Sequence, residues 1–273
     1  MRAWIDGRLI EDAASPAVSV IDHGVTVGDG VFEALKVVDG LPFALEAHLE
    51  RMRRSARGLG LGEVDTALVR QGVKEVLSAE HIVLGKVRIT LTAGRSPLGS
   101  GRFDALTPTL IVVADAQPPA EPTTAAIGVP WTRNERGALA GLKTTSYGEN
   151  VLALEEAHRR GASEAVFANT QGHLCEGTGT NVFYVLDGEL RTPTLASGCL
   201  AGVTRALVLE WFGGVEVDAP VEVLEVADEI FLTSSSRDVQ PLVRWNDRAL
   251  APGPVAAEAQ AVWRRREPEL LGL

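Results

Sequence analysis

The chain is 273 residues long, 45% apolar, and carries a formal net charge of −10 at pH 7. Such a length holds one large domain or two modest ones, with enough apolar residues for a core. The acidic balance argues against nucleic acid as a partner, because a phosphate backbone needs a basic face.

The chain opens in a β pattern. Residues 3–5 and 8–10 flank Asp6-Gly7, and residues 31–38 and 41–45 flank Asp39-Gly40; both dipeptides are hairpin turn signals. From 48 to 58 the period changes, and Leu49, Met52, Ala56 and Leu59 share one helical face. A second helix is expected over 65–79. Strands are expected over 83–93 and 109–114, joined by a glycine-rich loop over 94–102. Three prolines fall within 116–124, which rules out a regular helix there. A domain boundary is placed at this point. It gives a smaller N-terminal α/β domain over 1–117, a Pro-rich linker over 118–124, and a larger C-terminal domain over 125–273.

Beyond the linker, 126–131 is a strand candidate and 147–160 a helix closed by Gly161. Short strands are expected over 165–169, 173–175 and 181–186, with Asp187-Gly188 as a third hairpin turn. A helix over 203–211, a strand over 229–233 and an amphipathic helix over 255–266 complete the chain. Hairpins mixed with helices give a mixed α+β class rather than a doubly wound parallel sheet.

The chemistry-bearing residues are few. Lysines occur only at 36, 74, 86 and 143, whereas 22 of the 26 basic residues are arginines. Lys143 follows small and apolar residues and precedes hydroxyls (139–147). Glu176 lies in Cys-Glu-Gly-Thr-Gly-Thr-Asn (175–181), and Gly202-Val203-Thr204 opens a helix. An amine, a carboxylate and a helix N-terminus are the three parts needed to hold pyridoxal 5′-phosphate (PLP). The amine makes a Schiff base, the carboxylate keeps the pyridine nitrogen protonated, and the free N–H groups bind phosphate. Each part also has an ordinary reading: a solvated lysine, a loop carboxylate, a common helix start. Arg51 likewise reads as one of several solvated helix arginines, Ser234-Ser235-Ser236 as a polar turn, and Gly28-Asp29-Gly30 as a tight turn before a strand. The histidines and the two cysteines show no metal spacing, so no metal is expected. The cysteine usage fits a reducing cytoplasm. No signal peptide or membrane span is expected.

Six segments occur in an order that resembles the class IV (fold-type IV) PLP enzymes. They are Gly28-Asp-Gly-Val-Phe-Glu33, His48-Leu-Glu-Arg51, Gly141-Leu-Lys-Thr-Thr-Ser-Tyr147, Glu176-Gly-Thr-Gly-Thr-Asn-Val-Phe183, Leu200-Ala-Gly-Val-Thr-Arg205 and Ala227-Asp-Glu-Ile-Phe-Leu-Thr-Ser-Ser235. The family comprises branched-chain aminotransferases, D-amino-acid aminotransferases and 4-amino-4-deoxychorismate lyases. The resemblance implies a small N-terminal α/β domain and a larger PLP-binding domain with a barrel-like β-sheet. It also implies a homodimer in which a partner loop completes each site for a small amino substrate. Lys143 would carry the Schiff base and move the α proton, Glu176 would face the ring nitrogen, and Tyr147 the ring 3-oxygen. Arg51, Val203, Thr204 and Ser235 would hold the phosphate. Ser235, Ser236, Arg88 and Phe32 would face the substrate.

Within the family, the run from Arg133-Asn134 to Lys143, Glu149 beyond it and the short length are closest to the lyases. No Arg-x-His pair follows Thr92, which weakens the D-amino-acid reading. The expectation is therefore a 4-amino-4-deoxychorismate lyase giving 4-aminobenzoate and pyruvate, in folate precursor synthesis. The alternative is a class IV aminotransferase for branched-chain or other amino acids. Phe32-Glu33 favours that alternative, since some lyases carry threonines there. A third reading is a PLP-binding protein without turnover.

Overall fold

A computed structural model describes residues 1–273. The chain divides into two compact units. The first comprises Met1–Pro119, Leu142–Tyr147 and Glu269–Leu273; the second comprises Ala120–Gly141 and Gly148–Pro268. The chain passes between units beside the proline-rich stretch. A single boundary over 118–124, however, leaves out two returns to the first unit, one of them carrying Lys143.

The first unit is a six-stranded antiparallel sheet with two helices on one face. Its strands are β1 (Arg2–Ile5), β2 (Arg8–Ile10), β3 (Gly30–Val38), β4 (Leu41–Pro42), β5 (Leu84–Thr92) and β6 (Thr109–Ala116), in the order β2-β1-β6-β5-β3-β4. A one-turn helix α1 (His23–Thr26) precedes β3. The hairpin turns take the expected form, with positive φ at both Asp6 and Gly7 and at both Asp39 and Gly40, as the right-handed strand twist requires. Strand alternation puts Trp4, Val31, Leu35, Val37, Ile89 and Val112 on one face. Leu45, Leu49, Met52 and Ala56 of α2 (Leu45–Gly58) and Val69, Val73 and Val76 of α3 (Thr66–Ala79) complete this core. Two expected boundaries shift. The strand foreseen over 41–45 stops at Pro42, and α2 starts at Leu45 rather than His48, because Ala44 adopts a left-handed φ of 51° that ends extended backbone.

The second unit is built on a larger sheet in the order β12-β11-β10-β13-β14-β7-β8-β9, with β15 also on β14. These strands are β7 (Thr124–Arg133), β8 (Glu164–Asn169), β9 (Leu174–Gly177), β10 (Asn181–Leu186), β11 (Glu189–Thr192), β12 (Val215–Glu216), β13 (Glu229–Ser234), β14 (Asp238–Trp245) and β15 (Arg248–Ala249). Parallel pairs (β14 with β7, β7 with β8, β11 with β12) sit among antiparallel ones. One face buries Val166, Val182, Tyr184, Ile230, Leu232 and Trp245. The other buries Ile127, Ala165 and Phe167 against Ala153 and Ala157 of α4 (Gly148–Arg159). Helices α5 (Val203–Trp211) and α6 (Pro254–Arg266) also belong to this unit. The class is the expected one, mixed α/β with a smaller N-terminal sheet and a larger curled C-terminal sheet. No helix is long and apolar enough to cross a membrane.

Candidate active site

The expected residues divide between the two units. In the first, the 142–147 segment lies along the start of β3, on the edge away from β5. Phe32 N–H donates to the Lys143 carbonyl (3.0 Å) and Thr145 N–H to the Gly30 carbonyl (2.8 Å). Lys143 N–H reaches Ser55 Oγ on α2 at 3.1 Å. The Thr145 and Ser146 hydroxyls donate to the Gly28 carbonyl at 2.8 and 3.1 Å. Gly30 is required here, because a Cβ would stand 2.9 Å from the Leu91 carbonyl oxygen and 3.1 Å from Thr145 Oγ1.

This pairing sets Lys143 beside buried Phe32. Lys143 Nζ lies 4.3 Å from the Phe32 ring centroid and 5.8 Å from that of Tyr147. The two rings meet edge to face at 5.1 Å. The Arg88 guanidinium, from the neighbouring strand β5, stands 3.8 Å over the Phe32 ring. Three expected residues (Arg88, Lys143 and Tyr147) thus converge on the ring of a fourth, Phe32, whose face attracts cations.

Arg51 is not the solvated helix residue of the ordinary reading. It is buried, and with His48 it closes on Glu33, a carboxylate on the core face of β3. Arg51 Nε donates to Glu33 Oε1 at 2.8 Å and Nη2 to Oε2 at 2.6 Å, a two-pronged pair. His48 Nδ1 lies 2.7 Å from Oε2. Burial opposes ionisation of Glu33, but the Arg51 charge and the hydrogen bonds outweigh it and hold the carboxyl down at about 2. Burial pushes the His48 ring below the usual imidazole range. Its neutral ring therefore gives Nδ1–H to the acceptor-only carboxylate. Glu33 was missed as a functional residue. The signal was available: a charge in the core-facing alternation Val31, Glu33, Leu35, Val37.

In the second unit, Glu176 sits on β9, 15% exposed at its side chain. Leu200 N–H donates to its Oε2 at 2.8 Å, and Arg133 Nε lies 3.3 Å from its Oε1. The next turn, 178–180, wraps around buried Glu164. That carboxylate accepts from Ala165 N–H (3.0 Å), Thr178 N–H (2.9 Å), Gly179 N–H (3.4 Å) and the hydroxyls of Thr178 and Thr180. Asn181, at the end of the turn, donates from Nδ2 to the Leu200 carbonyl at 2.9 Å. A Cβ on Gly202 would fall 2.0 Å from Asn181 Oδ1, so a side chain here would displace the Asn181 amide. Val203 and Thr204 form the first turn of α5, where N–H groups lack helical acceptors. Thr204 Oγ1 is buried and has no hydrogen-bond partner. An unpaired buried hydroxyl on a helix N-terminus fits a phosphate group. Ser235 and Ser236 occupy the turn between β13 and β14, half-buried and exposed respectively. Arg133 and Glu164 were not foreseen in these positions.

The family described as amino-transferase class IV matches residues 30–245. A putative branched-chain-amino-acid aminotransferase of Methanocaldococcus jannaschii is 32% identical, over 92% of this chain and 90% of that protein. An aminodeoxychorismate lyase of Bacillus subtilis is 28% identical, over 88% of this chain and 85% of its own length. The crystal structure of a branched-chain aminotransferase from Thermoproteus uzoniensis, obtained with norvaline, superposes with a TM-score of 0.91 at 28% identity, covering 99% of this chain and 98% of that one.

Proposed function

We propose that this chain, which belongs to the class IV aminotransferase family, transfers amino groups from branched-chain or similar aliphatic amino acids to keto acids. The family is PLP-dependent, and the chain is an enzyme of that class. The comparisons favour amino-group transfer over the lyase reaction expected from the sequence, because the 32% relative is an aminotransferase homologue and the lyase is 28% identical.

One observation carries the choice. Phe32 and Glu33 are the residues in which the sequence follows the transaminase-like version of a motif where some lyases carry threonines. They are also the residues that contact Lys143 with Arg88, and Arg51 with His48. A threonine at 33 cannot take the two-pronged Arg51 contact.

Bound PLP supplies an aldehyde carbon that takes up the amino group and a ring that accepts electrons. The chain's residues supply the rest. Lys143 Nζ would hold the cofactor through that carbon and, once the substrate's amine has taken its place there, would move the proton at the substrate's α carbon as a free amine. Phe32 and Tyr147 wall the amine with aromatic surface. Glu176 faces the ring nitrogen and Tyr147 the ring 3-oxygen. Val203, Thr204, Ser235 and Arg51 hold the phosphate, with Arg51 pre-aligned by Glu33. Arg88, with the Ser235 and Ser236 amides, takes the carboxylate that every amino-acid and keto-acid substrate brings. A homodimer goes with this reading. Val20, Val25 and Leu98 of the first unit are 84%, 65% and 84% exposed, an apolar set suited to a second copy.

The test uses purified holoprotein. Leucine, isoleucine or valine with 2-oxoglutarate should give glutamate at steady turnover. Aminodeoxychorismate alone, without a keto acid, should give no catalytic 4-aminobenzoate. The opposite pattern restores the lyase reading.

A further inference from the structure

Arg133 ends β7, where it pairs in register with Asn169 of β8. Phe167, also on β8, lies directly opposite Glu176 of β9. The Arg133 guanidinium lies over the Phe167 ring, with Cζ 4.1 Å from its centroid, and reaches Glu176 Oε1, with Nε at 3.3 Å. Three neighbouring strands thus contribute a cation, an aromatic support and a carboxylate. Nε is buried and makes no aligned hydrogen bond, so the contact to Glu176 is an ion pair rather than a hydrogen bond. A second carboxylate, Glu149, lies 3.5 Å from Nη1, but its side chain is 73% exposed and water screens it.

We propose that Arg133 is a positioning residue for Glu176. It holds the carboxylate in one orientation, so that the acceptor is already set when the cofactor's ring nitrogen arrives. This rests on the reading of Glu176 as the partner of that nitrogen. The physical reason is the cost of ordering. A glutamate has three rotatable side-chain bonds, and fixing them at the moment of binding weakens binding. Leu200 N–H fixes one oxygen at 2.8 Å and Arg133 the other at 3.3 Å. Phe167 in turn fixes Arg133, since a guanidinium stacked on an aromatic face has few alternative rotamers. Lysine, a point charge on a flexible stem, supplies the charge without the planar group over the ring.

The experiment measures the PLP dissociation constant of the apoprotein by fluorescence titration, which requires no turnover. Arg133→Met keeps the packing on Phe167 and removes the charge. It should weaken PLP binding roughly 10- to 100-fold, taking the range seen when an outer partner of a metal-ligating side chain is lost. Arg133→Lys should recover part of that loss. Glu176→Gln should weaken binding too, and the double variant Arg133→Met/Glu176→Gln should be no weaker than Glu176→Gln alone, because Arg133 acts through the carboxylate. If Arg133→Met binds within twofold of wild type while Glu176→Gln does not, the positioning role fails and the reading of Glu176 stands. If the two losses simply add, Arg133 acts elsewhere and the role fails likewise. If Glu176→Gln alone has no effect, the reading of Glu176 falls and this inference with it. Should Arg133→Met fail to fold by circular dichroism, Arg133→Lys decides: PLP binding equal to wild type, or weakened additively with Glu176→Gln, overturns the role.

Discussion

Glu33 offers the sharpest test of how the first unit is held together. The substitution Glu33→Gln keeps the shape and removes one charge from a site where Glu33 and His48 are 0% exposed and Arg51 5%. Arg51 then stays buried with no anion at its Nε and Nη2. Breaking a buried pair from one side costs about 3–5 kcal/mol, because the remaining charge keeps its desolvation penalty. The carboxyl's own titration gives a second estimate. Its ordinary value is 4.5 and the folded value about 2. At about 1.4 kcal/mol per pKa unit, this is worth roughly 3 kcal/mol. Because the folded value is depressed, the stabilisation is complete above pH 4.5 and is lost as pH falls towards 2. Urea unfolding, read with hydrogen exchange on amides of β3, β5 and α2, isolates the first unit. At neutral pH the variant should be less stable by about 3–5 kcal/mol, and the gap should narrow on acidification. A double variant, Glu33→Leu with Arg51→Met, should regain part of the loss, since two apolar groups leave no orphaned charge. A gap under about 1 kcal/mol at neutral pH, or one unchanged by acid, refutes the account of the cluster as a buried, ionised pair.

Two further outcomes follow from the second unit. Thr204→Val removes a buried hydroxyl with no partner in the protein. The apoprotein should melt no lower, and up to several degrees higher, while PLP binds about tenfold more weakly; a lower apo melting point means that the hydroxyl already has a structural partner. Glu164→Gln places an amide where the carboxylate accepts from Thr178 N–H at 2.9 Å and Thr180 Oγ1 at 3.0 Å. Amide exchange at Thr178 and Gly179 should quicken roughly 10- to 100-fold, matching the loss of one or two charge-assisted hydrogen bonds; unchanged exchange means that backbone bonds alone hold the turn.

Much of the fold was legible because its rules are local. Asp-Gly pairs at 6–7, 39–40 and 187–188 supply the positive φ values that tight hairpins need, and all six residues adopt them. The period-2 face of β3 and the period-3.6 face of α2 needed no knowledge of partners. What stayed hidden depends on distant chain. The 142–147 segment has no strand pattern of its own. It becomes ordered by pairing with β3, through Phe32 N–H and Gly30 C=O, and through Ser55 on α2. Nothing near position 143 encodes those acceptors and donors, so the return to the first unit could not be read.

The same division runs through the candidate site. Residues that do chemistry are legible by type, because few side chains can supply an amine, an anion or a phosphate donor. Residues that aim them are ordinary in sequence. Glu164 reads as a strand-edge charge, yet it organises the turn between Glu176 and Asn181. Asn181 reads as a strand start, yet its amide holds the Leu200 carbonyl at 2.9 Å while its oxygen occupies the space that a Gly202 Cβ would need. The glycine before α5 therefore carries two meanings. Locally it is a permissive helix entry, which many residues could make, since its φ of −65° is open to any side chain. In three dimensions it is the residue that leaves room for the Asn181 amide, which holds the Leu200 carbonyl just ahead of the helix. Local propensity cannot distinguish these cases, because the constraint comes from a side chain on another strand.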